Sequence, residues 1–260
     1  MSNYYDAIYL SPHLDDAALS CGGHIYQQTE TGKSILIVSV TAGDPSPGKI
    51  PPLARKLHER WQLSAGAVAA RRREDAAACA IIGADFTHWD FLDCIYRRHP
   101  TSGEPLYVTE EQIFGPVHPA EMTLVDSIAQ RIAGLPEHGE IYLPLTVGHH
   151  VDHQLLMRAA KKWQKLDSTF YYEDFPYVQK AGALPALLGD GAEWRQQIVL
   201  LSPSALEARM EAIACYRSQI DILFGGLERL KGQVVAQVTA TGGERYWQRV
   251  SRSQPPYRTV

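Results

Sequence analysis

The chain has no apolar run of about 18 residues, so nothing in it reads as a membrane-spanning helix. Its first residues lack the charged and apolar regions of a secretory leader, and a soluble, cytoplasmic protein is expected. Basic residues are not in surplus: 25 Lys and Arg stand against 29 Asp and Glu, a net charge of -4. That excludes a general nucleic-acid binder, which must neutralise phosphates. There is no CxxC pair. The four cysteines, Cys21, Cys79, Cys94 and Cys215, sit among small or apolar neighbours and read as reduced, packed thiols. Gly22-Gly23 lacks the G-x-G-x-x-G spacing, so there is no dinucleotide fingerprint. No internal repeat, low-complexity tract or composition shift divides the chain. With 45% hydrophobic and 21% charged residues, a single globular domain over 1–260 is expected.

What is present is an alternation of strand-like and helix-like stretches. Apolar runs at residues 4–11, 34–40, 86–91, 141–145, 169–173 and 197–201 read as strands. Helical spacing occupies 15–28, 64–82 with Ser64 as N-cap, 120–132 and 151–163. A helix capped by Ser202 or Ser204 is predicted to run to about residue 219, a helical elaboration after the main alternation. The alternation predicts an α/β protein, with a mostly parallel sheet covered on both faces. The proline-rich stretch 44–53 and the stretch 97–119 read as loops. Both are expected to rim one cleft.

Two segments carry chemistry. Pro12-His13-Leu14-Asp15-Asp16-Ala17 follows the first strand, and His149-His150-Val151-Asp152-His153 follows the strand at 141–145. In such sheets ligands bind beyond the carboxyl ends of strands, so the two segments are expected to converge. His13 and Asp16 are three apart, and a tight turn aims both at one point. Asp15 then points elsewhere, toward a metal-bound water, as general base. His153 is the better third ligand, and His150 stands nearer the cleft as proton donor or oxyanion partner. Asp152 is placed to orient one of these imidazoles. Two His and one Asp suit a single Zn²⁺ with water in the fourth position, and Fe²⁺, Co²⁺ or Ni²⁺ as well. A blander account exists for the Asp pair alone, an N-cap plus a first-turn charge.

At these residues the chain resembles the LmbE-like (PIG-L) family of metal-dependent N-acetyl-sugar deacetylases. That family has Pro-His-Pro-Asp-Asp-Glu near its N-terminus and His-x-Asp-His downstream. Here Leu14 replaces the proline and Ala17 the glutamate. Gly22-Gly23, Thr41-Ala42-Gly43, Arg71 to Glu74, Asp93, and Tyr172 to Tyr177 resemble further family segments, so the likeness covers roughly residues 5–220. The resemblance implies a Rossmann-like fold, usually zinc, and hydrolysis of an acetamide on a glucosamine-type sugar or its conjugate. It implies His13, Asp16 and His153 as ligands, Asp15 as base and His150 as acid or oxyanion partner.

Arg71 and Asp93 are candidate substrate contacts. Arg71 has a rival reading as an i,i+3 ion pair with Glu74, and Asp93 as a turn cap. Arg72 and Arg73 are expected to face solvent. The expected partner is a small amino-sugar substrate, with no nucleic acid and no stable membrane insertion; a homo-oligomer is left open. Two other functions compete: hydrolysis of a different amide, such as formyl or carbamoyl, and sugar or nucleotide binding without turnover. Retention of Asp15 argues against the second, since a binder has no use for a free base beside a metal.

Overall fold

The computed structural model describes residues 2–46, 48, 50–63, 66–163 and 168–250. The chain opens with β1 (Tyr4–Ser11), α1 (Asp16–Glu30), β2 (Ile35–Ser39), α2 (Pro52–Arg60), α3 (Ala67–Ile81) and β3 (Asp85–His88). The middle holds α4 (Glu110–Ile113), α5 (Met122–Ala133), β4 (Glu137–Pro144), α6 (Val151–Trp163) and β5 (Thr169–Tyr172). The last part holds α7 (Ala183–Leu188), β6 (Trp194–Val199), α8 (Pro203–Ala214), α9 (Arg217–Phe224), α10 (Leu227–Thr241) and β7 (Glu244–Arg249).

The strands form one seven-stranded sheet in the order β3-β2-β1-β4-β5-β7-β6. The first five pair in parallel, and β7 pairs antiparallel with both β5 and β6. The expected α/β fold with a mostly parallel sheet is therefore observed. Alternate residues of the central strands explain why both faces are covered. Ile8, Leu10, Leu36, Val38, Ile141 and Leu143 enter one core, with side chains of α2, α5 and α6. Ala7, Tyr9, Ile35, Ile37 and Tyr142 enter the other, with α1, α3 and α8. Burial on both faces is what makes these strands read as continuous apolar runs.

The sequence of strands reverses direction at β1, where β2 lies on one side and β4 on the other. In doubly wound sheets this switch point opens a crevice beyond the strand ends. The segment after β1 and the segment after β4 both lie there.

Four expectations need correction. The predicted N-cap Ser64 falls outside the described residues, and Gly66 occupies the N-cap position of α3. The stretch after the proline-rich loop forms α2, which was not anticipated. The predicted helix to residue 219 breaks at Cys215 and Tyr216 into α8 and α9. The chain past 202 is not wholly helical, because β7 returns to the sheet. Gly22-Gly23 lies inside α1, where Leu201 comes within 2.6 Å of the place a Gly23 Cβ would take. That pair admits the C-terminal part of the chain, not a ligand.

Candidate metal centre

The turn after β1 is built by short side chains. Ser11 Oγ donates to the His13 carbonyl (2.7 Å) and accepts from the Ala17 amide (3.0 Å). Thr41 Oγ1 donates to the Pro12 carbonyl at 2.7 Å, tying the turn to the end of β2. Asp16 Oδ2 accepts from the His13 amide at 2.8 Å and lies 3.1 Å from His13 Nδ1. Asp15 sits at the N-cap of α1 but makes no capping hydrogen bond with its side chain. The blander cap reading fails for it, and its carboxylate faces Arg71 Nη2 at 3.5 Å.

The segment after β4 is strained into place. Thr146 and His149 have φ of 72° and 63°, in the left-handed region that costs a non-glycine residue. Gly148, at φ 93°, meets Tyr177 so closely that an added Cβ would lie 3.0 Å from Tyr177 Cβ. Asp174 Oδ2 holds this turn by accepting from the Val147 amide at 2.8 Å. α6 then starts at Val151 and carries Asp152 and His153 in its first turn.

The two segments meet. His153 Nδ1 lies 2.6 Å from Asp174 Oδ1, and His153 Nε2 lies 3.4 Å from Asp16 Oδ2. His153 Nε2 is buried and has no hydrogen-bond partner. His13 Nε2 lies 3.1 Å from Asp152 Oδ2, which leaves Nδ1 facing Asp16. Each imidazole thus spends one nitrogen on a buried carboxylate and turns the other toward Asp16. This is the arrangement of metal-ligating histidines, in which a carboxylate fixes tautomer and ring plane. Three N/O donors that include an orphaned buried nitrogen fit a divalent ion. Ligand atoms of His13, His150 and His153 also fall within 4.8 Å of one another, as do those of Cys94, His150 and Asp152.

Burial and charge divide the carboxylates. Burial pushes Asp15 up to about 6, with Arg71 opposing. Burial also acts on Asp16, but the charges of His153 and His13 override it and hold Asp16 well below the usual range. For His153, burial alone would lower the ring; the charge and hydrogen bond of Asp16, with Asp174, raise it to about 9. His13 is raised well above its ordinary value, because Asp16 and Asp152 outweigh burial.

Several expectations change here. Asp152 orients His13, not His150, and its other oxygen pairs with Arg97. At His150, burial, then the charge of His13, takes the ring well below its ordinary value. Its Nδ1 accepts from the Asp152 amide at 3.3 Å, so a neutral ring carries its proton on Nε2, 3.9 Å from Cys94 Sγ. Arg71 is buried, stacked 4.9 Å over Trp61, and faces Asp15 and Asp93 (3.8 Å), so the cleft reading wins over the Glu74 pair. Asp93 caps the turn as expected, accepting from the Ile95 amide at 3.1 Å, and it also lines the cleft. Arg72 is half-buried, donating to Ala42 O and Asp44, while Arg73 is exposed.

A cleft of about 250 Å³ opens over His13, Asp15, Asp16 and His150. Arg71, Asp93 and Gln219 line it, together with residues of α2 and α4. The described part of the 44–53 loop does not rim it as expected; Asp44, Pro45, Ser46, Gly48 and Ile50 border a separate pocket with His58 and Tyr96. Helix α2 fills the place assigned to that loop. The sequence reading also missed Arg97, Cys94 and Asp174 as supports. For Asp174 the signal was there, since it belongs to the Tyr172–Tyr177 segment that resembles the family.

The comparisons with known proteins identify the family. The PIG-L family, described as GlcNAc-PI de-N-acetylase, matches residues 8–164. The chain belongs to the PIG-L family. As a PIG-L protein it is an enzyme, a de-N-acetylase. The 2'-N-acetylparomamine deacetylase of Niallia circulans is 29% identical over 235 residues, covering 84% of this chain and 82% of that protein. Among solved structures, the zinc-inhibited form of teicoplanin deacetylase Orf2 superposes with a TM-score of 0.79 at 27% identity, covering 95% of this chain and 99% of that one. The A40926 pseudoaglycone deacetylase Dbv21, at 24% identity and a TM-score of 0.73, covers 96% and 99% and shares the fold. Both motifs of this PIG-L chain lie inside the matched region. No helix among the described residues is long and apolar enough to cross a membrane.

Proposed function

We propose that the chain removes the acetyl group from an N-acetylated, glucosamine-type amino sugar or its conjugate, with one Zn²⁺ held by His13, Asp16 and His153. The observation that carries this reading is the paired orientation of the two imidazoles. His13 is fixed by Asp152 and His153 by Asp174, and their free nitrogens converge on Asp16. A divalent ion bound there supplies a Lewis acid and makes water a usable nucleophile near neutral pH.

The chain's own residues do the rest. Asp15, with no capping duty, takes the proton from the attacking water. Burial raises this carboxyl and a bound cation lowers it again, which leaves a group able to accept a proton and to give it back. Asp15 then passes that proton to the amide nitrogen as the C–N bond breaks, so acetate and free amine leave. His150 offers its neutral Nε2–H to the oxygen that gains charge, which needs no imidazolium. Arg71 keeps Asp15 oriented, and with Asp93 it presents charged groups to sugar hydroxyls. Arg97 supports from behind: it pairs with Asp152, which also accepts from the Cys94 amide at 3.1 Å, so His13 cannot rotate. Two relatives support the sugar: one is named for 2'-N-acetylparomamine, the other for teicoplanin.

The test is release of acetate and amine from N-acetyl, N-formyl and N-carbamoyl glucosamines by zinc-loaded protein. Equal amounts of acetate and amine, with N-acetyl preferred, are expected. Turnover of the formyl or carbamoyl compound alone would move the activity to another amide, and metal binding without turnover would leave a binding module.

A further inference from the structure

We infer that the sugar's aglycone is an apolar, aryl or alkyl group, held in a groove that runs outward from His150. The inference rests on the amino-sugar reading above and names what that sugar is attached to. The catalytic cleft, at about 250 Å³, falls below the roughly 300–1,000 Å³ of pockets that enclose drug-sized ligands. It has room for one sugar unit, and the attached group must lie beyond it. The cleft opens into a wider neighbouring groove of about 740 Å³, and the two share Phe114, Pro176, Tyr177 and Leu223, with Glu110 beside them.

The shared surface begins at the catalytic residues. The Phe114 ring stands edge-on to His150 with centroids 5.3 Å apart, and to Tyr177 at 5.8 Å. Phe114 is 38% exposed, a large ring kept at the surface beside a reactive imidazole. Across from it, α9 turns Gln219, Ile222 and Leu223 to the cleft, an i, i+3, i+4 face, while Ile220 and Phe224 enter the core. Leu57 and Trp61, one helical turn apart at the end of α2, complete the wall. Three helices outside the parallel sheet each contribute apolar side chains to one path.

The anions of the inner cleft are already paired. Both oxygens of Glu110 are taken, by Lys56 at 2.8 Å and Arg60 at 2.7 Å. Asp15 and Asp93 face Arg71. In the outer groove Glu111 and Lys180 add one charge of each sign. A polycationic aglycone would find the anions beside the sugar occupied, whereas an apolar one covers Phe114, Tyr177 and Leu223 without breaking an ion pair.

The experiment compares kcat/KM for the methyl, octyl and 4-nitrophenyl glycosides of N-acetylglucosamine, in both anomers, with that for 2'-N-acetylparomamine. The octyl or 4-nitrophenyl compound should exceed the methyl glycoside by roughly ten- to a hundred-fold, as burial of several CH₂ or ring carbons implies. Phe114→Ala and Leu223→Ser should each shrink that ratio, mainly through KM. A ratio near one, a ratio unmoved by both variants, or a preference for the polyamine overturns the inference while the deacetylase reading stands. Absence of acetate release from every compound removes the deacetylase reading and this inference with it.

Discussion

Asp15 and Asp16 are neighbours in sequence with opposite chemistry, and their surroundings separate them. Asp16 accepts the His13 amide and faces two imidazoles; Asp15 faces one guanidinium across a buried gap. Asp15→Asn should keep the metal and slow hydrolysis on the order of 10²-fold or more. The base must be ionised, so activity should fall as pH drops through about 6, and a nearby dication moves that limb lower. A pH–rate profile checks it; an acid limb that survives unchanged in the Asn variant would assign the limb to another group. His150→Ala should retain metal and lower kcat roughly 10²–10³-fold, as loss of an oxyanion donor does. His150→Gln, which still offers an N–H, should recover part of it. Full kcat in the Ala variant, or loss of its metal, would make His150 structural or a ligand. The convergence of the two motifs was legible at this scale because His13 and Asp16 are three residues apart, and so are His150 and His153. The protonation of His150 was not legible: it depends on the Asp152 amide and on burial, which no local pattern records.

At the scale of elements, β1 and β4 deliver the two motifs, and β5 delivers the carboxylate that holds His153. Asp174→Asn and Arg97→Gln should each weaken zinc binding by about 10- to 100-fold in chelator competition, since outer partners of ligating histidines carry that much. Arg97→Lys should recover some of the loss if charge beside Asp152 is what matters. Unchanged affinity in both variants would mean that the imidazoles need no support. The strands β1, β2 and β4 were readable because two buried faces produce uninterrupted apolar runs. β7 was not, because its inward positions Glu244, Tyr246 and Gln248 are mostly polar and satisfied by partners far away in sequence. α2 was hidden behind the prolines that precede it. Arg97 and Glu121, a buried ion pair beside Tyr107, sit in a stretch whose polarity reads as loop.

For the whole molecule, the site is a knot of buried charge in which His153 Nε2 has no hydrogen-bond partner. In the metal-free protein His13 and His153 hold protons, His153 up to about 9. A metal must displace them, so zinc affinity should rise with pH until about 9 and fall toward acid. Calorimetry in buffers of different ionisation enthalpy should record proton release on binding; no release would mean the rings are already neutral. The same knot joins α1, α6 and the end of β5, so metal loading should also raise Tm. The most direct measurement is anomalous diffraction at the zinc edge from crystals of the loaded protein. The account predicts one peak at about 2.0–2.2 Å from His13 Nδ1, His153 Nε2 and an Asp16 oxygen. A peak held by Cys94 and His150 instead, or one that persists at full height in His13→Ala, would contradict it.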